Sequence, residues 1–138
     1  MIAVTRSLRR RLSERGAAAV EMAFMLPVLL FVIFGIIDYG RMLNAQITLT
    51  EAAREGARAA ALGQSATTRV NNASTNLSGV TTTVTSCPAT PTATSDATVT
   101  TTYTFTFITP VPGLATIFGG SSTGSKTLTG KGVVPCLG

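Results

Sequence analysis

Apolar and polar positions divide the chain into stretches of different period. Residues 17–37, AAAVEMAFMLPVLLFVIFGII, are apolar except for Glu21 and Pro27. As a helix rising about 1.5 Å per residue they reach about 30 Å, the thickness of a bilayer's hydrocarbon core. From Arg41 to Leu62 the pattern becomes amphipathic: Met42, Ala45, Leu49, Ala52, Ala53, Gly56 and Ala60 recur at helical spacing, with Asn44, Thr48, Glu51, Glu55 and Arg58 on another face. No stop signal separates the two stretches, so the pattern predicts a single helix from about Ala17 to Leu62, with Gly63 as its C-terminal cap. Ala66, Val70, Ala73 and Leu77 then predict a short second helix over Ser65–Ser78. Farther on, Val99, Thr101, Tyr103, Phe105 and Phe107 alternate with threonines, the period of a half-buried strand. Val80–Ser86 and Lys126–Val134 are shorter Thr/Val-rich strand candidates between turns containing Pro and Gly. The expected class is α+β: a long N-terminal membrane-spanning helix, a short second helix and a small antiparallel sheet of about three strands.

Composition sharpens this division. Of 138 residues, 11 are Lys or Arg and 6 are Asp or Glu, giving a formal charge of +5. Arg6, Arg9, Arg10, Arg11 and Arg15 all precede residue 17, so the basicity belongs to a leader rather than to a nucleic-acid-binding surface. Arginines before an apolar span place the N-terminus in the cytoplasm and the remainder outside, in a single pass through the cytoplasmic membrane. The boundaries expected are a basic leader at 1–16, a helix at 17–63 (17–37 transmembrane, 38–63 amphipathic) and a Thr-rich extracytoplasmic β domain at 64–138. That last part carries 21 Thr and only four charged side chains. With no His and two Cys, the chain offers no catalytic constellation, metal site or cofactor motif, and no small-molecule substrate or nucleic acid is implied.

The residues richest in mechanism lie at the head of the span. Gly16 follows the basic leader, and Glu21 is a lone carboxylate in an apolar helix. A charge at the centre of a membrane helix costs about 2.5–3.5 kcal/mol, so Glu21 needs an interface, neutralisation or a partner. Cutting between Gly16 and Ala17 would create one: the Ala17 α-amine is cationic at neutral pH, and one subunit's Glu21 can neutralise the amine of the next. The plainer alternative is a helix start at Gly16 with Glu21 at headgroup level. Pro27 removes one helical hydrogen bond and predicts a kink near residues 23–27.

Four features concern the outer part. Around Arg54, Gly56 and Arg58, the small residues Ala53, Gly56, Ala57 and Ala60 leave a groove that admits either the chain's own sheet, the simpler reading, or another helix. Asp38 with Arg41, Glu51 with Arg54 and Glu55 with Arg58 place opposite charges three residues apart. Cys87 and Cys136, 49 positions apart, suit one disulfide outside the cytoplasm or two structural thiols. Pro110–Gly120, PVPGLATIFGG, reads as an apolar loop that faces a neighbour or the bilayer surface.

RGAAAVEMAFMLPVLLFVIFGIIDYGR, followed by EAAREGARAAALG, resembles the TadE-like proteins of tight-adherence (Flp-type) pilus systems. The resemblance implies a type IV pilin-like fold and a prepilin-like precursor cut after Gly16 by a prepilin peptidase, with Glu21 as the fifth residue of the mature chain. It implies a minor pilin or pseudopilin that assists pilus assembly, with other pilin-like subunits, the assembly machinery and the membrane as partners. The alternative is a signal-anchored single-pass protein whose β domain is a binding module.

Overall fold

In a computed structural model, residues 2–110, 112, 113, 116, 119, 120 and 124–136 are described, with side chains from residue 16 onward. Helix α1 spans Ile2–Ala61, α2 Ala66–Ala73, β1 Thr81–Thr85, β2 Asp96–Thr106 and β3 Ser125–Pro135. The α+β class and the three-stranded antiparallel sheet agree with the sequence pattern. The apolar loop expected at 110–120 lies largely outside the described residues.

Met1–Ile37 and Asp38–Gly138 are two compact units, and α1 contributes to both. In the first, helix begins at Ile2 rather than at Ala17. The Leu, Arg and Ala before residue 16 are strong helix formers, and Pro27 is the first proline. The helical assignment continues through Pro27. Every described residue from Gly16 to Val32 is exposed, including Phe24 at 76 % and Leu29 at 59 %. This helix is long and apolar enough to cross a membrane.

In the second unit α1 supplies one layer and the sheet the other. The strand order is β1-β2-β3, so the long central strand pairs antiparallel with both neighbours: Val84 faces Val99, and Val99 faces Gly132. On β2, Ala97, Val99, Thr101 and Phe105 are buried beneath the helix. Threonines fill most of the opposite face. On β3 the buried positions are Leu128, Gly130 and Gly132. The helix contributes Leu49 and the small side chains of Ala45, Ala52, Ala53, Ala57 and Ala60. Two apolar clusters result, one around Ala57, Val70 and Val99, the other around Leu49, Phe105 and Leu128.

The elements end for local reasons. Gly63 has φ +69°, Gln64 N–H donates to Ala59 O at 2.8 Å, and Gly63 N–H donates to Ala60 O at 3.1 Å. This paired closure of the last carbonyls uses the left-handed conformation that glycine adopts without steric cost. The second helix starts at Ser65, whose hydroxyl oxygen accepts from Thr68 N–H, and stops at Ala73, earlier than expected. Ser74 ends it by donating both its hydroxyl and its N–H to Val70 O. Buried Ser74, not the exposed Ala73, therefore continues the stripe of Ala66 and Val70.

Candidate functional site

Gly16, Ala17, Glu21 and Pro27 all lie on exposed helix, and a Cβ added at Gly16 would meet nothing within 4 Å. Their surroundings in the first unit are apolar side chains left free to meet lipid or another helix.

Gly56 lies elsewhere, under the sheet. A Cβ there would fall 2.6 Å from Val70 Cγ2 and 3.2 Å from Val99 Cγ1. The groove of small residues is thus filled from within the chain by α2 and β2. Arg54 and Arg58 point to solvent on either side of it. Among the described residues Arg41 and Asp38 form the one ion pair, at 3.4 Å; Glu51 with Arg54 and Glu55 with Arg58 do not meet. Holding two long exposed side chains together costs as much entropy as their screened attraction returns.

Closer approach still occurs on β3. A Cβ on Gly130 would lie 2.5 Å from Leu49 O and 2.7 Å from Thr101 Oγ1, and one on Gly132 would strike the backbone of Ala53 and Arg54. Backbone therefore rests on backbone at two successive inward positions. Thr101, fully buried opposite Gly130, donates its hydroxyl to Leu49 O at 3.1 Å, and Gln46 Nε2 donates to Thr129 O at 2.8 Å. These polar contacts fix the height of the sheet along α1.

A third link, which the residue spacing does not disclose, is centred on Asp38, the first residue after the apolar run. Its carboxylate is 3 % exposed and accepts from Ile108 N–H at 3.3 Å, Thr109 N–H at 3.3 Å and the Thr109 hydroxyl. Arg41, which donates to the same carboxylate, also lies over Phe105, with 5.2 Å from guanidinium carbon to ring centroid, and Phe107 meets Phe105 edge-on. A helical carboxylate here ties down the chain that leaves β2. Burial alone pushes the Asp38 carboxyl up, but the Thr109 hydroxyl, the two N–H donors and Arg41 outweigh it and hold it below the usual aspartate range. The only sequence signal was the three-residue spacing to Arg41, which says nothing of partners seventy positions away.

The sign of the resulting pH dependence follows. A carboxyl with a lowered folded-state pKa contributes stability that is fully present above its unfolded value of about 4 and is lost as pH falls through the folded value. Asp38→Ala should lower the unfolding free energy by about 2 kcal/mol at neutral pH, because donors lose an ionised acceptor. The difference between the two chains should shrink on acidification below about pH 4. Urea titrations of the detergent-solubilised chain at several pH values measure this directly; a pH-independent gap would mean that the carboxylate's charge is not what holds the Ile108–Thr109 backbone.

At the far end of the sheet Cys87 and Cys136 form a disulfide with Cα atoms 5.8 Å apart. It joins the residues just after β1 and just after β3, the two edge strands, across the central one. Cys136 N–H also donates to Ser95 O at 2.8 Å. Among the described residues no group of His, Cys, Asp and Glu could hold a metal ion. The openings on this unit are shallow, such as that of about 350 Å³ between Met42, Gln46 and β3.

No curated protein and no solved structure matches the chain significantly. Residues 16–58 match the family model described as TadE-like protein, a segment that begins at Gly16, contains Glu21 and Pro27 and ends on the small-residue seat of the sheet; over that segment the long helix is similar to TadE-like proteins.

Proposed function

We propose that this chain is a minor pilin or pseudopilin-like structural protein of a tight-adherence pilus system, cut after Gly16 by a prepilin peptidase and assisting assembly through its helix. The observation that carries the reading is the TadE-like match over 16–58, coupled to a helix whose apolar surface is exposed among the described residues. Residues 17–37 cross the cytoplasmic membrane with the basic leader inside, and the sheet lies outside, where its disulfide is stable. Cleavage frees the Ala17 amine, a cation that a neighbouring subunit's Glu21 neutralises when helices pack side by side. Gly16, without a side chain, enters the peptidase in extended form. The partners are the membrane, the peptidase and other pilin-like subunits with their assembly machinery; the role is structural.

The division proposed is a leader at 1–16, a helix at 17–63 and an outer β domain at 64–138. The N-terminal sequence and intact mass of membrane-extracted protein, from cells with and without a working prepilin peptidase, test this reading. The expected result is an N-terminus at Ala17 that depends on the peptidase. A chain that keeps its leader in both strains would instead establish a signal-anchored surface domain.

A further inference from the structure

We infer that the end of the sheet held by Asp38 is seated on the bilayer, with Ile108 immersed among lipid headgroups and Arg41 and Lys126 facing their phosphates. The proposal rests on reading residues 17–37 as a membrane span. Asp38 is the next residue, so its level on the helix is the level at which such a span leaves the hydrocarbon. That same residue accepts from the backbone N–H groups of Ile108 and Thr109 and from the Thr109 hydroxyl.

An apolar side chain is thus pinned at headgroup height, and it points outward: Ile108 is 74 % exposed. No charged residue occurs from 108 to 125. The charges that border this stretch suit a phosphate layer. Asp38 is buried and its carboxylate satisfied within the protein, which leaves no solvated acid at this level, while Arg41 is half-exposed and Lys126, paired in register with Phe105, is exposed. Tyr39, largely exposed one residue beyond Asp38, adds the amphipathic ring typical of membrane interfaces. A lipid surface is the occupant favoured here because the covalent chain itself brings one to this level, whereas a protein neighbour would have to be recruited.

The chain contains no tryptophan, so a single one reports unambiguously. Three full-length variants are made: Ile108→Trp, Phe31→Trp within the span, and Thr83→Trp on the exposed face of β1, whose partner Thr100 lies about 20 Å along the strand from Thr106. Each is reconstituted in phosphatidylglycerol-containing vesicles, with the disulfide and thermal unfolding checked against the parent. Ile108→Trp should emit at shorter wavelength than Thr83→Trp and be quenched by lipids brominated near the headgroup, while Thr83→Trp is quenched by aqueous iodide. Phe31→Trp should be quenched by deeply brominated lipid. Iodide quenching of Ile108→Trp equal to that of Thr83→Trp, with Phe31→Trp still lipid-quenched, would overturn the seat and leave the span standing. Loss of lipid quenching at Phe31 would overturn the span and the seat with it. Because Trp itself favours interfaces, hydrogen exchange of the unmodified chain is compared between nanodiscs and detergent: the Phe107–Thr109 amides should be the more protected in nanodiscs, and equal protection would also overturn the seat.

Discussion

Gly132→Ala should destabilise the outer unit by about 3 kcal/mol, the upper end of the usual cost of inserting a methyl into a packed interior. The added Cβ would press on the Ala53 carbonyl group and come within 2.7 Å of Arg54 N, and neither can rotate away as a side-chain tip does. Relief requires the sheet to lift from α1, loosening the Thr101 hydroxyl from Leu49 O and the Gln46 amide from Thr129 O. For a unit of this size the loss lowers the unfolding midpoint by about 15 °C. Gly130→Ala, where Leu49 O would be 2.5 Å away, should cost a similar amount. Lys131→Ala, between them but on the exposed face, should change stability by less than about 0.5 kcal/mol. Thermal circular dichroism of the three variants and the parent in one detergent decides the matter. If Gly132→Ala melts with the parent, the helix and sheet are not in backbone contact there.

Replacing both cysteines by serine, Cys87→Ser with Cys136→Ser, should lower stability by about 4 kcal/mol, since the bond closes a loop of some 50 residues in the unfolded chain. The geometry explains why so much of the unit depends on it. Both edge strands are held to β2 by backbone hydrogen bonds, but β1 has only five residues and packs Val84 at the margin of the core. The crosslink spans the sheet at that weak end and itself packs against the cluster around Ala57 and Val99. The check is guanidinium unfolding of the parent with and without reductant, beside the double variant. Reduced parent and variant should coincide, both well below the oxidised parent; three equal midpoints would show that the crosslink adds no stability.

What the sequence disclosed and what it concealed follow from range. The helix repeat of Ala45, Leu49, Ala52 and Ala60 and the alternation around Thr101 and Phe105 are local, and each marked the face that the fold buries. The end of the second helix was missed because Ser74 is a polar residue at an apolar position, satisfied by Val70 O in a way composition does not signal. Lys126–Val134 read as strand, yet the meaning of Gly130 and Gly132 was hidden: a glycine in a strand is ordinarily weak, and only the helix lying on it makes it necessary. Asp38 read only as a charge three residues from Arg41 because its other partners are long-range in sequence. Gly16 and Glu21 were legible only as a motif, since both are exposed among the described residues.

The order of elements along the chain also sets an order of events during synthesis. The helix is made before any strand that rests on it, and β1 and β2 form a hairpin whose buried face can meet α1 as soon as both have emerged. Gly130 and Gly132, whose absent side chains allow the close approach, arrive with the last strand, as does the second cysteine. Docking at its final distance and covalent closure therefore wait for β3 to be made. Until they occur, the growing protein presents a threonine-rich hairpin with an unpaired edge on β2, the interval in which a chaperone or an oxidant would act.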